Sequence, residues 1–169
     1  MVSNGKTRFM SKEDYKCVIE RGHSEINDKI IDFLKTKIIG RYIDIGCNTG
    51  WLLSEVRGGV GVDSSRFCID KAREKGLIVH LANAEELPFR NQEFDMAILS
   101  CIMEQSDRPM KILNEAKRVA RKVIGINPIP GSRWGVIGGH VKSVIPPELM
   151  EDIGCETFKF DNERYYFTI

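Results

Sequence analysis

From about residue 24 to its end the sequence switches repeatedly between short apolar runs and stretches patterned at helical spacing, and few folds accept that alternation. Ile26, Ile30, Ile31, Phe33, Leu34 and Ile38 recur at helical spacing behind Ser24, a residue suited to N-capping. A short β run, Arg41 to Ile45, follows and ends in the turn Gly46 to Gly50. Trp51 to Val56 resumes helix, Gly58 to Asp63 reads as a second strand, and Ser64 to Lys75 as a helix stopped by Gly76. Ile78 to Asn83 is a third strand. Phe94 to Ser100 is apolar almost throughout, as a parallel strand covered on both faces should be. Pro109 fits the first turn of a helix running to about Arg121, and Lys122 to Ile126 is a fifth strand.

Strands separated by single helices mean βαβ units, right-handed crossovers and a parallel sheet. The ending differs: Pro146 and Pro147 open a short helix that Gly154 closes. Glu156 to Asp161 and Arg164 to Ile169 then have almost nothing between them, which requires an antiparallel hairpin. The expected fold is α/β, a Rossmann-like doubly wound, mainly parallel seven-stranded sheet with a C-terminal antiparallel hairpin. Residues 24–169 form its one domain, and residues 1–23 an N-terminal arm with a short helix from about Ser11.

Lys plus Arg number 25 and Asp plus Glu 24, so bulk charge attracts neither nucleic acid nor an anionic membrane. The cluster Lys111, Lys117, Arg118, Arg121 and Lys122 includes Glu115 and no interleaved aromatics, and reads as a solvated helix face. Met96 to Met103, the longest apolar-rich run, is far short of the roughly 20 residues that span a bilayer. The N-terminal residues lack the apolar core of a signal peptide. Cys17, Cys47, Cys68, Cys101 and Cys155 are scattered without a paired spacing, so neither a disulfide framework nor a metal site is expected. A soluble, cytoplasmic protein with reduced thiols is the expectation.

In a doubly wound sheet, ligands bind beyond the carboxyl ends of the strands where the strand order reverses. The first strand ends in Asp44-Ile45-Gly46-Cys47-Asn48-Thr49-Gly50. Gly46 permits a sharp turn against a ligand, and Gly50 permits the next helix to pack close to the sheet. Asp63 closes the second strand, where a carboxylate accepts both hydroxyls of a ribose. No Lys-Ser/Thr follows the glycines, so the loop is not a triphosphate-binding loop. Asn48 and Trp51 replace the second and third glycines of a dinucleotide fingerprint, and Trp51 hinders a pyrophosphate at the helix start. A nucleoside cofactor without phosphate fits better, and Asp44 suits a cationic amino-acid moiety, as in S-adenosylmethionine.

The stretches YIDIGCNTG, GVDSS and ANAEELPFRNQEFDMAILS, then Met103-Glu104-Gln105 and Ile112 to Val119, resemble the class I methyltransferases of the type 11 group. The resemblance runs from about Arg41 to Pro128 and implies an S-adenosylmethionine-dependent methyltransferase acting on an unidentified acceptor. It implies that Gly46, Cys47 and the loop behind them line the methionine end of the cofactor and that Asp63 binds the ribose. Ser64 would flank the adenine, Asn83 and Ala84 would meet its edge, and Ser100 and Cys101 would lie near the methyl group. The sequence departs from the group's pattern at Asn48, which tolerates left-handed backbone, and at Asn83, whose amide oxygen can accept from the adenine amine.

Several residues carry a second reading. Asp63 also fits an N-cap, and Asp44 a partner of loop amides. Glu104 is either a substrate-facing base or an exposed helix carboxylate; His140, in the glycine-rich segment Gly138 to Lys142, is either on a hinged lid or on a surface loop. These two are the candidate catalytic residues. His23 and His80 read as structural or solvated, and Cys47 and Cys101 as small packing residues. Two further functions stand beside the enzyme: a catalytically silent S-adenosylmethionine-binding partner subunit, and, more weakly, an NAD-dependent oxidoreductase. A protein partner or a homodimer is compatible with the exposed hairpin edge.

Overall fold

The computed structural model describes residues 25–131, 142–143 and 145–169. The N-terminal arm, the Ser24 cap, Cys17, His23 and His140 with the glycines before it lie outside the described residues. In chain order the elements are α1 (Glu25–Lys37), β1 (Tyr42–Ile45), α2 (Trp51–Glu55), β2 (Gly59–Asp63), α3 (Arg66–Glu74), β3 (Val79–Leu81) and β4 (Phe94–Ser100). A 3-10 turn (Met103–Gln105), α4 (Pro109–Val119), β5 (Ala120–Pro128), α5 (Pro147–Asp152), β6 (Glu156–Lys159) and β7 (Arg164–Thr168) complete the fold.

The seven strands form one sheet in the order β3-β2-β1-β4-β5-β7-β6. β1 to β5 pair in parallel, and the β6–β7 hairpin joins antiparallel to β5, as expected. The chain runs from β1 outward to β2 and β3, then returns to lay β4 on the other flank of β1. The order therefore reverses between β1 and β4, and it is beyond the carboxyl ends at such a reversal that doubly wound sheets take their ligands.

Both faces are covered. Ile43, Ile45, Val60, Val62, Ala97, Leu99 and Val123 point to the side where Ile112, Leu113, Ala116 and Val119 of α4 and Met150 of α5 pack. Tyr42, Met96, Ile98, Ile124 and Ile126 meet Ile30 and Leu34 of α1, Leu52 and Leu53 of α2, and Ile69 and Ala72 of α3. The apolar alternation of β1, β2 and β4 is thus one strand serving two cores. The hairpin is keyed to β5 by a size match: Gly125 lies opposite Phe167, and a Cβ there would stand 2.2 Å from its ring.

Candidate functional site at the carboxyl ends of β1, β2 and β4

The glycine loop after β1 is stitched to the neighbouring strand, since the backbone N–H groups of Gly46 and Cys47 both donate to the Val62 carbonyl, at 2.8 and 2.9 Å. Asp63 adds a second tie. Its Oδ2 accepts from Asn48 N at 2.9 Å and its Oδ1 from Ser65 N at 2.8 Å. The cap of α3 is Ser65, whose hydroxyl accepts from Cys68 N, so Asp63 braces the loop rather than capping the helix. Asn48 sits at φ 52, the left-handed region the sequence suggested it could tolerate. Its Oδ1 accepts from Thr49 N at 2.7 Å and from the Cys68 thiol at 3.5 Å, so the residue that replaces glycine also anchors the turn.

The two glycines are needed for different neighbours. At Gly46 (φ 82) a Cβ would lie 2.5 Å from Cδ1 of Ile102, the residue that follows β4 by two positions. At Gly50 (φ 79) it would lie 2.3 Å from Cδ1 of Leu77, which precedes β3. The close approach at Gly50 is therefore to Leu77, not to a strand.

Electrostatically the site is a pair of buried acids. Asp44 is 5 % exposed and Asp63 8 %. Burial, then the neighbouring Asp63 charge, pushes the Asp44 carboxyl up to about 7. Burial also raises Asp63, against the pull of the backbone N–H groups of Ser65 and Asn48. Burial and the repulsion of Asp63 are what act on Asp44, and among the described residues no loop amide or other hydrogen bond offsets them. A buried carboxylate pair in this state calls for a cation.

Along the flank of β3, Ser64 and Asn83 are exposed and Ala84 half-buried. Asn83 Oδ1 already accepts from Glu85 N at 3.0 Å, which leaves its amide nitrogen as the uncommitted group of that side chain. The next turn, Leu87 to Phe89, is clamped from α4. Arg118 donates to the carbonyls of Leu87 and Phe89 at 2.9 and 2.8 Å and to Glu115, while Glu115 accepts from Leu87 N at 2.8 Å. The hydrogen bonds of Arg118 hold Glu115 below the usual carboxylate range. Arg118 thus corrects the expectation of a solvated face: it is half-buried and its guanidinium is enclosed by acceptors, whereas Lys111, Lys117, Arg121 and Lys122 are exposed.

Past β4, Ser100 and Cys101 are half-buried, and Cys101 turns the chain at φ 52. Its N–H donates to the Ile126 carbonyl at 2.9 Å, keeping it level with the end of β5. Enclosure holds the Cys101 thiol at about 12 and pushes that of Cys47 higher still, so both are packing groups rather than nucleophiles. Glu104 corrects the exposed-helix reading. It lies in the 3-10 turn, 5 % exposed, and burial raises its carboxyl to about 7. His80 is exposed and sets its ring edge-on against Phe89.

Sequence reasoning passed over Asn127 and Tyr165. Asn127 is fully buried on β5, where Asn127 Nδ2 donates to Tyr165 Oη at 3.1 Å and Tyr165 Oη donates to the Ile145 carbonyl at 2.7 Å. The signal was there: Asn127 is the one amide in an otherwise apolar strand, Val123 to Pro128. Glu85 was missed as well; it is buried, accepts from the Ser106 hydroxyl at 3.1 Å and pairs with Arg108 at 2.5 Å, tying the β3–β4 loop to the segment after β4.

Residues 27–138 match the family model described as methionine biosynthesis protein MetW. An uncharacterized protein of Methanocaldococcus jannaschii is 35% identical over 91 residues, which are 52% of this chain and 44% of that protein. The chain spans less than half the length of the curated relatives it matches. A SAM-dependent methyltransferase of Thermotoga maritima superposes with a TM-score of 0.73 at 20% identity, covering 92% of this chain and 93% of that one. A SAM-dependent methyltransferase of Archaeoglobus fulgidus gives 0.72 at 17% identity, over 91% and 98%. A chain of the complex that holds the Haloferax volcanii Trm112 methyltransferase activator gives 0.71 at 15% identity, over 90% and 80%. At these identities the likeness to the solved structures is one of fold.

Proposed function

The chain belongs to the family of methionine biosynthesis protein MetW, and from that membership and the site geometry we propose that it is an S-adenosylmethionine-dependent methyltransferase. The observation that carries the proposal is the buried pair Asp44 and Asp63 beside a glycine turn at the point where strand order reverses. The fit to this cofactor rests on charge. Asp44 is a buried carboxylate with no cation paired to it among the described residues, and S-adenosylmethionine brings a sulfonium and an ammonium but no phosphate.

In this reading Asp44 faces the cationic amino-acid end, and the bare Cα of Gly46 permits close approach. Asp63 turns its remaining acceptor capacity to the ribose hydroxyls, the N–H groups of Asn48 and Ser65 each engaging one of its oxygens. Ser64, Asn83 and Ala84 flank the adenine, and Cys47, Asn48 and Gly50 shape the loop. Ser100 and Cys101 border the methyl group. When bound, the sulfonium supplies an already activated methyl group. The chain then has to align an in-line attack and keep water out, which Ile102, packed over Gly46, is placed to do.

One specific observation favours the silent-subunit reading: the matched family is described by a biosynthetic process and no reaction. Equilibrium dialysis with methyl-labelled S-adenosylmethionine tests both. The expected result is retained label that S-adenosylhomocysteine displaces and NAD does not, followed by label moving to an acceptor. Displacement by NAD would overturn the cofactor assignment; retention with no transfer to any small molecule or macromolecule would leave the silent subunit. No described helix is long and apolar enough to cross a membrane.

A further inference from the structure

Two side-chain oxygens near the carboxyl ends of β4 and β5 have no hydrogen-bond partner among the described residues: Glu104 Oε2 and Asn127 Oδ1. Both side chains are deeply buried, Glu104 at 5 % exposure and Asn127 at 0 %. Both lie near Tyr165. Its hydroxyl bonds Asn127 Nδ2, and the charge of Glu104 acts on that same hydroxyl. The orientation of the Asn127 amide follows from proton counting, because Tyr165 gives its one proton to the Ile145 carbonyl and must accept from Asn127. The oxygen of Asn127, not its nitrogen, is therefore the group left over.

A buried acceptor without a donor is destabilising, more so when charged, and native chains rarely keep two together without use. Among the described residues no cation answers Glu104. Arg164 is paired with Asp161, Lys142 with Asp107, and the other titratable groups beside it, Cys101 and Tyr165, are held protonated by burial. With Glu104 charged, two acceptors and no donor repel ligand groups that only accept, such as carboxylates and phosphates. An alcohol brings one donor and leaves the second oxygen unanswered. An amide brings two, but its nitrogen lone pair is delocalised. A primary amine brings enough donors and a nucleophilic lone pair.

From this juxtaposition, and resting on the cofactor reading above, we infer that the methyl acceptor is a primary amine held by Glu104 Oε2 and Asn127 Oδ1, with Glu104 as its base. The ammonium loses one proton to Glu104 Oε2 and keeps a hydrogen bond to Asn127 Oδ1. Its freed lone pair forms the N–CH3 bond while the S–CH3 bond breaks and that electron pair returns to sulfur. Glu104 then passes its proton to solvent as the product leaves. A carboxyl held at about 7 by its apolar surroundings is matched to that task near neutral pH.

The test is calorimetric titration of the full chain, loaded with S-adenosylhomocysteine, with n-butylamine and benzylamine against benzyl alcohol and benzoate. Binding of an amine is expected, with the alcohol and benzoate about tenfold weaker or silent, and amine affinity should fall as pH drops through about 7. Glu104→Gln should weaken the amine about tenfold or more while leaving S-adenosylhomocysteine affinity unchanged. Equal binding of benzoate, an unaltered amine affinity in Glu104→Gln, or no amine binding to the loaded protein would each overturn the inference and leave the cofactor reading standing. Failure to load S-adenosylhomocysteine at all would remove the cofactor reading and this inference with it. Glu104→Met should keep or raise the melting midpoint, since it removes an unanswered buried acid. A drop of several degrees in both variants, with amine binding lost in proportion, would make Glu104 a packing residue and overturn its role.

Discussion

Asp44 is a carboxylate removed from water with another carboxylate, Asp63, for its charged neighbour. In the ligand-free protein its folded pKa, about 7, lies above the ordinary value of 3.8, so the folded state binds the proton more tightly than the unfolded chain does. Stability from this group is fully present at acidic pH and is lost as pH rises towards and through 7. Between about pH 5.5 and pH 8 the loss is on the order of 2 kcal/mol. Asp44→Asn, followed by differential scanning calorimetry at both pH values, should show a clearly smaller drop in midpoint than the natural protein. The drop should not vanish, because Glu104 titrates in the same range. An identical pH dependence in the variant would show that Asp44 is not the strained acid. At this scale the sequence was readable where a residue's role depends on its own backbone: Asn48 in the glycine turn adopts the left-handed φ that its side chain tolerates. Glu104 was not readable, because its burial depends on Met103 beside it entering the core and on Lys142 and Ser143, far along the chain, bonding its carbonyl.

Among elements, the turn that carries Leu87, Pro88 and Phe89 depends on α4 for its shape. Arg118 and Glu115 satisfy both carbonyls and one N–H of that turn, and they do so from about 30 residues away in sequence. Arg118→Ala should cost about 2 kcal/mol and lower the melting midpoint by several degrees. It should also speed amide exchange at Leu87 while leaving the amides of β4 protected, which hydrogen exchange resolves. Uniformly faster exchange would mean that Arg118 supports the whole domain and not this turn. The periodicity that marked α4 also hid this clamp, since a basic residue on the outward face of a helix reads as solvated until its partners are known. Strand ends were misjudged for local reasons. β3 stops at Leu81, short of the expected Asn83, because Asn83 bends the chain by accepting from Glu85 N. β5 begins at Ala120, immediately behind α4, so the helix is shorter and the strand longer than expected.

At the scale of the whole molecule, the order of strands could be argued from alternation and handedness, because β1 to β5 all follow the same crossover rule. The hairpin's place beside β5 was not specified by that rule; it is set by Phe167 resting on Gly125 and by the Tyr165–Asn127 bond. That docking is what brings Tyr165 to the end of β5, so in the proposed reading the last strand of the chain serves the acceptor and the first serves the cofactor. The cofactor side rests on Asp63, which both braces the glycine loop and faces the expected ribose. Titration calorimetry of the natural protein and of Asp63→Ala with S-adenosylmethionine, at about pH 8, above the value to which Asp44 is raised, addresses that assignment directly. One site per chain is expected for the natural protein, with affinity about tenfold to hundredfold weaker in Asp63→Ala. No heat of binding in the natural protein, or equal affinity in a folded Asp63→Ala, would contradict it.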